Sequence, residues 1–158
     1  MLKAILLAIL AFPLFHEDTQ SDEKRAQLEA VANAVASVSQ TPDEAAFLLA
    51  WGKSETNFSL RIHRGECKDW ECDGGKARGP WQAHRNGMPD EFWDKMIGVE
   101  NVQAQAEQAV KHARWALHAC PGDRIRGAFR VLAGRGCQSP LRGENVRITE
   151  FKWIRGRL

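Results

Sequence analysis

Between Thr56 and Asp94 the chain loses every regular spacing of apolar residues. That stretch holds Gly65, Gly74, Gly75, Gly79 and Gly87, Pro80 and Pro89, and the close pair Cys67 and Cys72. Glycine frees the backbone for left-handed conformations and proline removes a donor, so neither a long helix nor a central strand fits there. On both sides the apolar spacing is helical. The chain should therefore fold as helices around an irregular or partly β middle, with a hairpin expected around Asp73-Gly74-Gly75. A loop this long inside a compact domain is a place to look for function.

The flanking helices announce their own starts. Ser21-Asp22-Glu23 precedes Leu28, Val31, Ala32, Val35 and Val38 on one side, with acids in the first turn where the helix dipole favours them. Thr41-Pro42-Asp43-Glu44 reads as a capping box with proline at the first helical position, opening a helix through Phe47, Leu48 and Trp51 to Glu55. From Asn101, Val102, Ala106, Ala109, Val110, Ala113 and Leu117 mark a helix that stops at Cys120-Pro121-Gly122. Two more are expected, over about Asp123 to Leu132 and about Glu144 to Ile154. With 158 residues, 44% of them hydrophobic, the chain can build one core and is no disordered segment. The fold class is α+β and mostly helical, a single domain over 21–158.

Residues 1–20 are set apart. Met1 to Phe15 carry Lys3 and then an uncharged apolar run, shorter than the roughly 20 residues a membrane span needs. They read as a signal peptide or an N-terminal anchor that contacts the membrane, so a secreted or periplasmic protein is expected. No small-x-small cleavage site follows, which keeps the anchor open. Cys67, Cys72, Cys120 and Cys137 fit two disulfides in an oxidising compartment, most simply paired 67 with 72 and 120 with 137. The rival is a zinc site of Cys67, Cys72 and His63 or His84, whose spacing lacks the usual paired ligands. No metal and no cofactor are expected.

The net charge of +2 hides a polarity. His16 to Leu60 holds 8 acidic and 3 basic residues, Lys111 to Leu158 holds 3 acidic and 11 basic. An Arg-rich final third suits an anionic partner such as a cell-wall polymer, a membrane surface or nucleic acid, or is simply a solvated helix surface. The small sum gives no support to a nucleic-acid binder, and none is expected as partner.

Glu55 stands four residues after Trp51 and seven after Leu48, on the apolar face of its own helix. A carboxyl forced against Trp and Leu should resist ionisation and serve as a general acid. The other reading is a helix-terminal acid reaching for water. Asp69, Glu71 and Asp73 are candidates for a second acid, or are solvated loop acids. Trp70, among charges, is expected to be exposed.

Four blocks then resemble, in order, the soluble lytic transglycosylase family of the lysozyme-like superfamily. They are Glu55-Thr56-Asn57-Phe58-Ser59, Lys76-Ala77-Arg78-Gly79-Pro80-Trp81-Gln82, Glu100-Asn101-Val102-Gln103-Ala104 and Ala128-Phe129-Arg130-Val131-Leu132-Ala133-Gly134. The gap from Glu55 to Gln82 exceeds the family's usual one and contains the Cys67–Cys72 loop. Where the family carries Tyr-Asn, this chain has Val131-Leu132 or Leu132-Ala133, and it has no Tyr at all. The resemblance implies a monomeric lysozyme-like enzyme that cleaves the β-1,4 bond between N-acetylmuramic acid and N-acetylglucosamine in peptidoglycan. It implies Glu55 as the single acid/base. Gln82, Trp81, Phe58 and Trp70 are the candidates for glycan contact, with a structural loop bond as the other reading of Gln82 and the core as the other reading of Trp81 and, before all, Phe58. A lysozyme-type hydrolase and a non-catalytic glycan-binding protein on the same scaffold are the alternatives.

Overall fold

The computed structural model describes residues 2–11, 21–68 and 70–158. Helix α1 (Leu2–Leu10) packs on α2 (Asp22–Val38) and buries Ile5, Ala8 and Ile9 completely. The junction of the proposed leader with the domain, 12–20, lies outside the described residues. Ser21 caps α2, its hydroxyl accepting from the Lys24 amide at 3.2 Å.

Helix α3 (Pro42–Thr56) runs through the centre. Thr41 Oγ1 accepts from the Glu44 amide at 3.2 Å, while the Glu44 carboxylate reaches back to the Gln40 amide at 2.7 Å, one residue outside the expected capping box. Ala45 to Gly52 are all buried, the mark of a helix enclosed on every side. Its neighbours are α6 (Val102–Ala119) and α8 (Glu144–Arg155), with α7 (Arg124–Leu132) packed on α6. Phe47 meets Phe129 of α7 at 4.7 Å between ring centroids, in a core shared with Leu28, Val35, Leu48 and Ile154. A mostly helical α+β domain is thus observed, and the helices expected from spacing are present.

The middle segment holds two short helices, α4 (Leu60–His63) and α5 (Asp90–Trp93), and two 3₁₀ turns. Strands β1 (Ala77–Arg78) and β2 (Ala83–His84) pair antiparallel, Ala77 opposite His84 and Arg78 opposite Ala83. The hairpin is therefore not where Asp73-Gly74-Gly75 placed it. A tight turn does form there, with Gly74 and Gly75 at φ +66° and +80° and the Lys76 amide on the Asp73 carbonyl at 3.3 Å. Cys72, just before it, is bonded to Cys67 and its carbonyl accepts from the Ala77 amide at 3.0 Å across the turn, but no strand forms there and β1 pairs with β2 instead. The second disulfide joins Cys120 to Cys137. Both pairings are the local ones, and they take Cys67 and Cys72 out of any zinc site.

Candidate active site at the end of α3

The last turn of α3 is bent back sharply. Asn57 and Phe58 both stand at φ +52°, and the Asn57 amide closes the helix on the Lys53 carbonyl at 2.8 Å. This reversal drives Phe58 under its own helix. Its ring lies where a Cβ on Gly52 would stand 2.7 Å from it, and it meets Trp81 edge-on at 6.4 Å between centroids. Gly52 is the vacancy that admits the ring.

Thr56 then ties the helix end to the hairpin. Its hydroxyl lies 2.9 Å from the Pro80 carbonyl and 3.1 Å from the Gly52 carbonyl, in donating range of both. Trp81 adds a second tie, its Nε1 donating to the Leu48 carbonyl at 2.8 Å. Gly79 shapes the loop: its φ is +71°, and a Cβ there would sit 2.5 Å from the Met96 carbonyl oxygen. The first two sequence blocks, which hold Glu55 and Gln82, are thereby brought together.

Glu55 sits at the rim of this junction. Its side chain keeps 28% of its exposure, and Oε1 accepts from Arg147 Nη1 of α8 at 2.7 Å. Among the described residues Oε2 has no partner. The expected apolar enclosure by Trp51 and Leu48 does not occur: Trp51 is 6% and Leu48 0% exposed in the core, while Glu55 turns outward to a guanidinium. The spacing put all three on one stripe, but α3 is buried all round from Ala45 to Gly52, and its two end turns emerge.

The other expected site residues divide. Phe58 and Trp81 are 0% and 2% exposed, so they are core residues that support the site from beneath and offer no surface to a sugar. Gln82 is half-buried and folded onto its own turn, its amide donating to the Gly79 carbonyl at 3.1 Å. Trp70 is exposed. Of the second-acid candidates, Glu71 pairs with Arg61 and accepts from the Lys68 amide at 2.8 Å, and the Arg61 guanidinium holds it below the usual carboxylate range. Asp73 lies in the glycine turn and Asp69 outside the described residues. Among the described residues no cluster of His, Cys, Asp and Glu could hold a metal ion.

Two features had no sequence signal. Arg147 lies 92 residues from Glu55, beyond any helical spacing. Beneath Phe58, the carbonyl of that residue receives both the Lys24 ammonium and the Gln27 amide, the latter at 3.0 Å, and Gln27 Nε2 also reaches His63 Nδ1 at 3.0 Å. Lys24, Gln27 and His63 are 1%, 0% and 0% exposed. Burial, reinforced by the Lys24 charge, pushes the His63 ring down to about 4, with Gln105 and Glu100 opposing. This polar knot fixes the strained turn that ends α3. No protein-family model, curated protein or solved structure matches the chain.

Proposed function

We propose that this protein is an exported peptidoglycan-cleaving enzyme of lysozyme-like architecture, acting on the β-1,4 bond between N-acetylmuramic acid and N-acetylglucosamine through Glu55. The observation that carries the reading is the position of Glu55: a partly exposed carboxylate in the last turn of α3, next in sequence to the Thr56 that bonds the Pro80 carbonyl, with Oε2 unengaged. Arg147 holds Oε1 and so orients the carboxyl group from the far side. Oε2 would deliver a proton to the glycosidic oxygen as the sugar takes on oxocarbenium character. The same oxygen would then take the proton of the muramyl C6 hydroxyl, which closes a 1,6-anhydro ring without a second carboxylate. The pairing of Glu71 with Arg61 favours this one-acid route over a two-acid hydrolase.

Export is supported by the apolar Met1 to Phe15 run and by two disulfides, which persist in oxidising compartments. Among the described residues no helix is long and apolar enough to cross a membrane. Glu55→Gln removes the transferable proton and keeps the shape. Loss of cell-wall turbidity clearing with an unchanged circular dichroism spectrum is expected, and a fully lytic variant sinks the reading. Mass spectrometry of the released fragments separates anhydro from reducing ends. The absence of any Tyr where the resembling family carries one favours a second reading, a non-catalytic glycan-binding protein. That protein would sediment with walls and clear none.

A further inference from the structure

The insertion between Glu55 and Gln82 builds a feature the proposed reaction leaves unused. A cavity of about 230 Å³ opens beneath the Cys67–Cys72 loop, lined among others by Gly65, Lys68, Gly74, Gly75, Arg78 and Ile97. One water needs only roughly 10–15 Å³ of such space. Its wall carries Lys68, an Arg78 already held by Asp94 and the Trp93 carbonyl, and much bare backbone. Asp73, Gly74 and Gly75 follow one another at positive φ, and a Cβ on either glycine would meet nothing within 4 Å. The Gly74 and Gly75 amides donate to no group among the described residues. Successive amides in such a turn form a concavity suited to an anionic oxygen. Two acids adjoin this wall in sequence: Glu71 is occupied by Arg61 and the Lys68 amide, while Asp73 lies in the turn itself.

The rim carries an aromatic surface. Trp70 is 77% exposed, on a ring that the disulfide closes within five residues of sequence separation. Lys68 connects the two parts, since it lines the cavity and its Nζ lies 5.9 Å from the centroid of the Trp70 ring. The disulfide leaves the backbone that carries this indole less freedom to lose on binding. A flat apolar ring beside cationic and amide donors matches a sugar that carries a carboxylate.

We propose that the Cys67–Cys72 loop is a second binding site, in which Trp70 stacks on an amino sugar while Lys68 and the Gly74 and Gly75 amides receive a carboxylate attached to it. The inference rests on the reading of this chain as a peptidoglycan-directed protein, and it specifies the recognised part as the muramyl unit with its lactyl-linked peptide. Neutral chitin-type oligomers would engage Trp70 alone.

The test titrates the whole ¹⁵N-labelled chain with a disaccharide tetrapeptide, N-acetylglucosaminyl-N-acetylmuramic acid bearing its peptide, and separately with neutral chitotetraose. The disaccharide has no muramyl-to-glucosamine bond to cleave. The Gly74 and Gly75 amides and the Trp70 indole should shift together. Trp70→Ala should weaken binding by about tenfold or more, and Lys68→Gln by about threefold. Chitotetraose should bind more weakly and leave the glycine amides in place. The proposal is overturned if the muropeptide leaves these three signals unmoved, if both variants bind as wild type does, or if chitotetraose shifts the glycine amides equally. Both substitutions are at surface positions, so fold loss does not confuse the result. Binding here without wall lysis would sink the enzyme and keep this site; lysis without these shifts would do the reverse.

Discussion

The buried His63 makes stability depend on pH over a window that few other groups share. Its ring is 0% exposed and titrates at about 4 in the folded chain, against an ordinary 6.5 when unfolded. Between those values the unfolded chain binds a proton that the folded chain refuses. Stability is therefore complete above pH 6.5, falls as pH drops from 6.5 to 4, and is flat below for this group. At 1.36 kcal/mol per pH unit the full loss is about 3 kcal/mol, with about 2 kcal/mol gone by pH 5. Glu44, Glu71 and Glu144 are held below the usual carboxylate range by Arg114, Arg61 and Arg130 respectively, so their losses come at lower pH. His112, half-buried and also lowered, has the same sign as His63 and must be subtracted. His63→Gln keeps an acceptor for Gln27 and cannot titrate in this range. Urea unfolding at pH 7 and pH 5, disulfides intact, should show the wild-type midpoint falling by about 1 M more than that of the variant, for a slope near 2 kcal/mol/M. Parallel falls would refute the reasoning, as would an NMR titration of the His63 ring in the native protein centred near 6.5.

Other substitutions read the junction of helix and hairpin. Thr56→Val strips the Pro80 carbonyl of its donor and should cost about 1–3 kcal/mol by denaturant midpoint, with wall lysis reduced at temperatures where the variant is still folded. Gly79→Ala puts a methyl group 2.5 Å from the Met96 carbonyl at a φ of +71°, and should lower stability by about 2 kcal/mol or more in thermal unfolding.

What the sequence disclosed was whatever is decided locally. The Ser21 and Thr41 caps, the proline at the start of α3 and the two short-range disulfides follow from residues within one turn or one loop of each other. The hairpin was misplaced because two local rules competed. Asp73-Gly74-Gly75 does turn, with the Ala77 amide on the Cys72 carbonyl across it, but the ladder goes no further and forms instead about Gly79-Pro80-Trp81-Gln82. Burial was legible only for helices with one apolar stripe. Trp81 and Phe58 stand inside the motif as the resemblance orders them, yet a left-handed turn and the gap at Gly52 decide that they point inward. No spacing rule carries that information.

The opposed charges of the two ends teach the same lesson about function. An Arg-rich final third reads as a surface for an anion or as a solvated helix face, and three of its arginines hold acids of the chain's own acidic half. Arg114 holds Glu44, Arg155 holds Asp43, Arg147 holds Glu55, and Lys53 with Glu150 reverses the direction. The exposed pair of Arg155 with Asp43 is worth only about 0–1 kcal/mol, and the part-buried ones fix the face that α6 and α8 present to α3. It follows that an arginine partner is no mark of catalysis in this molecule, since the acids that open α3 have one too. Glu44 has both oxygens engaged, and Asp43 and Glu44 lie at the start of α3, at the opposite end from the hairpin junction. Glu55 alone of the three joins an unengaged oxygen to the helix end that Thr56 ties to the hairpin, and that conjunction, not its charge pairing, makes it the residue to mutate first.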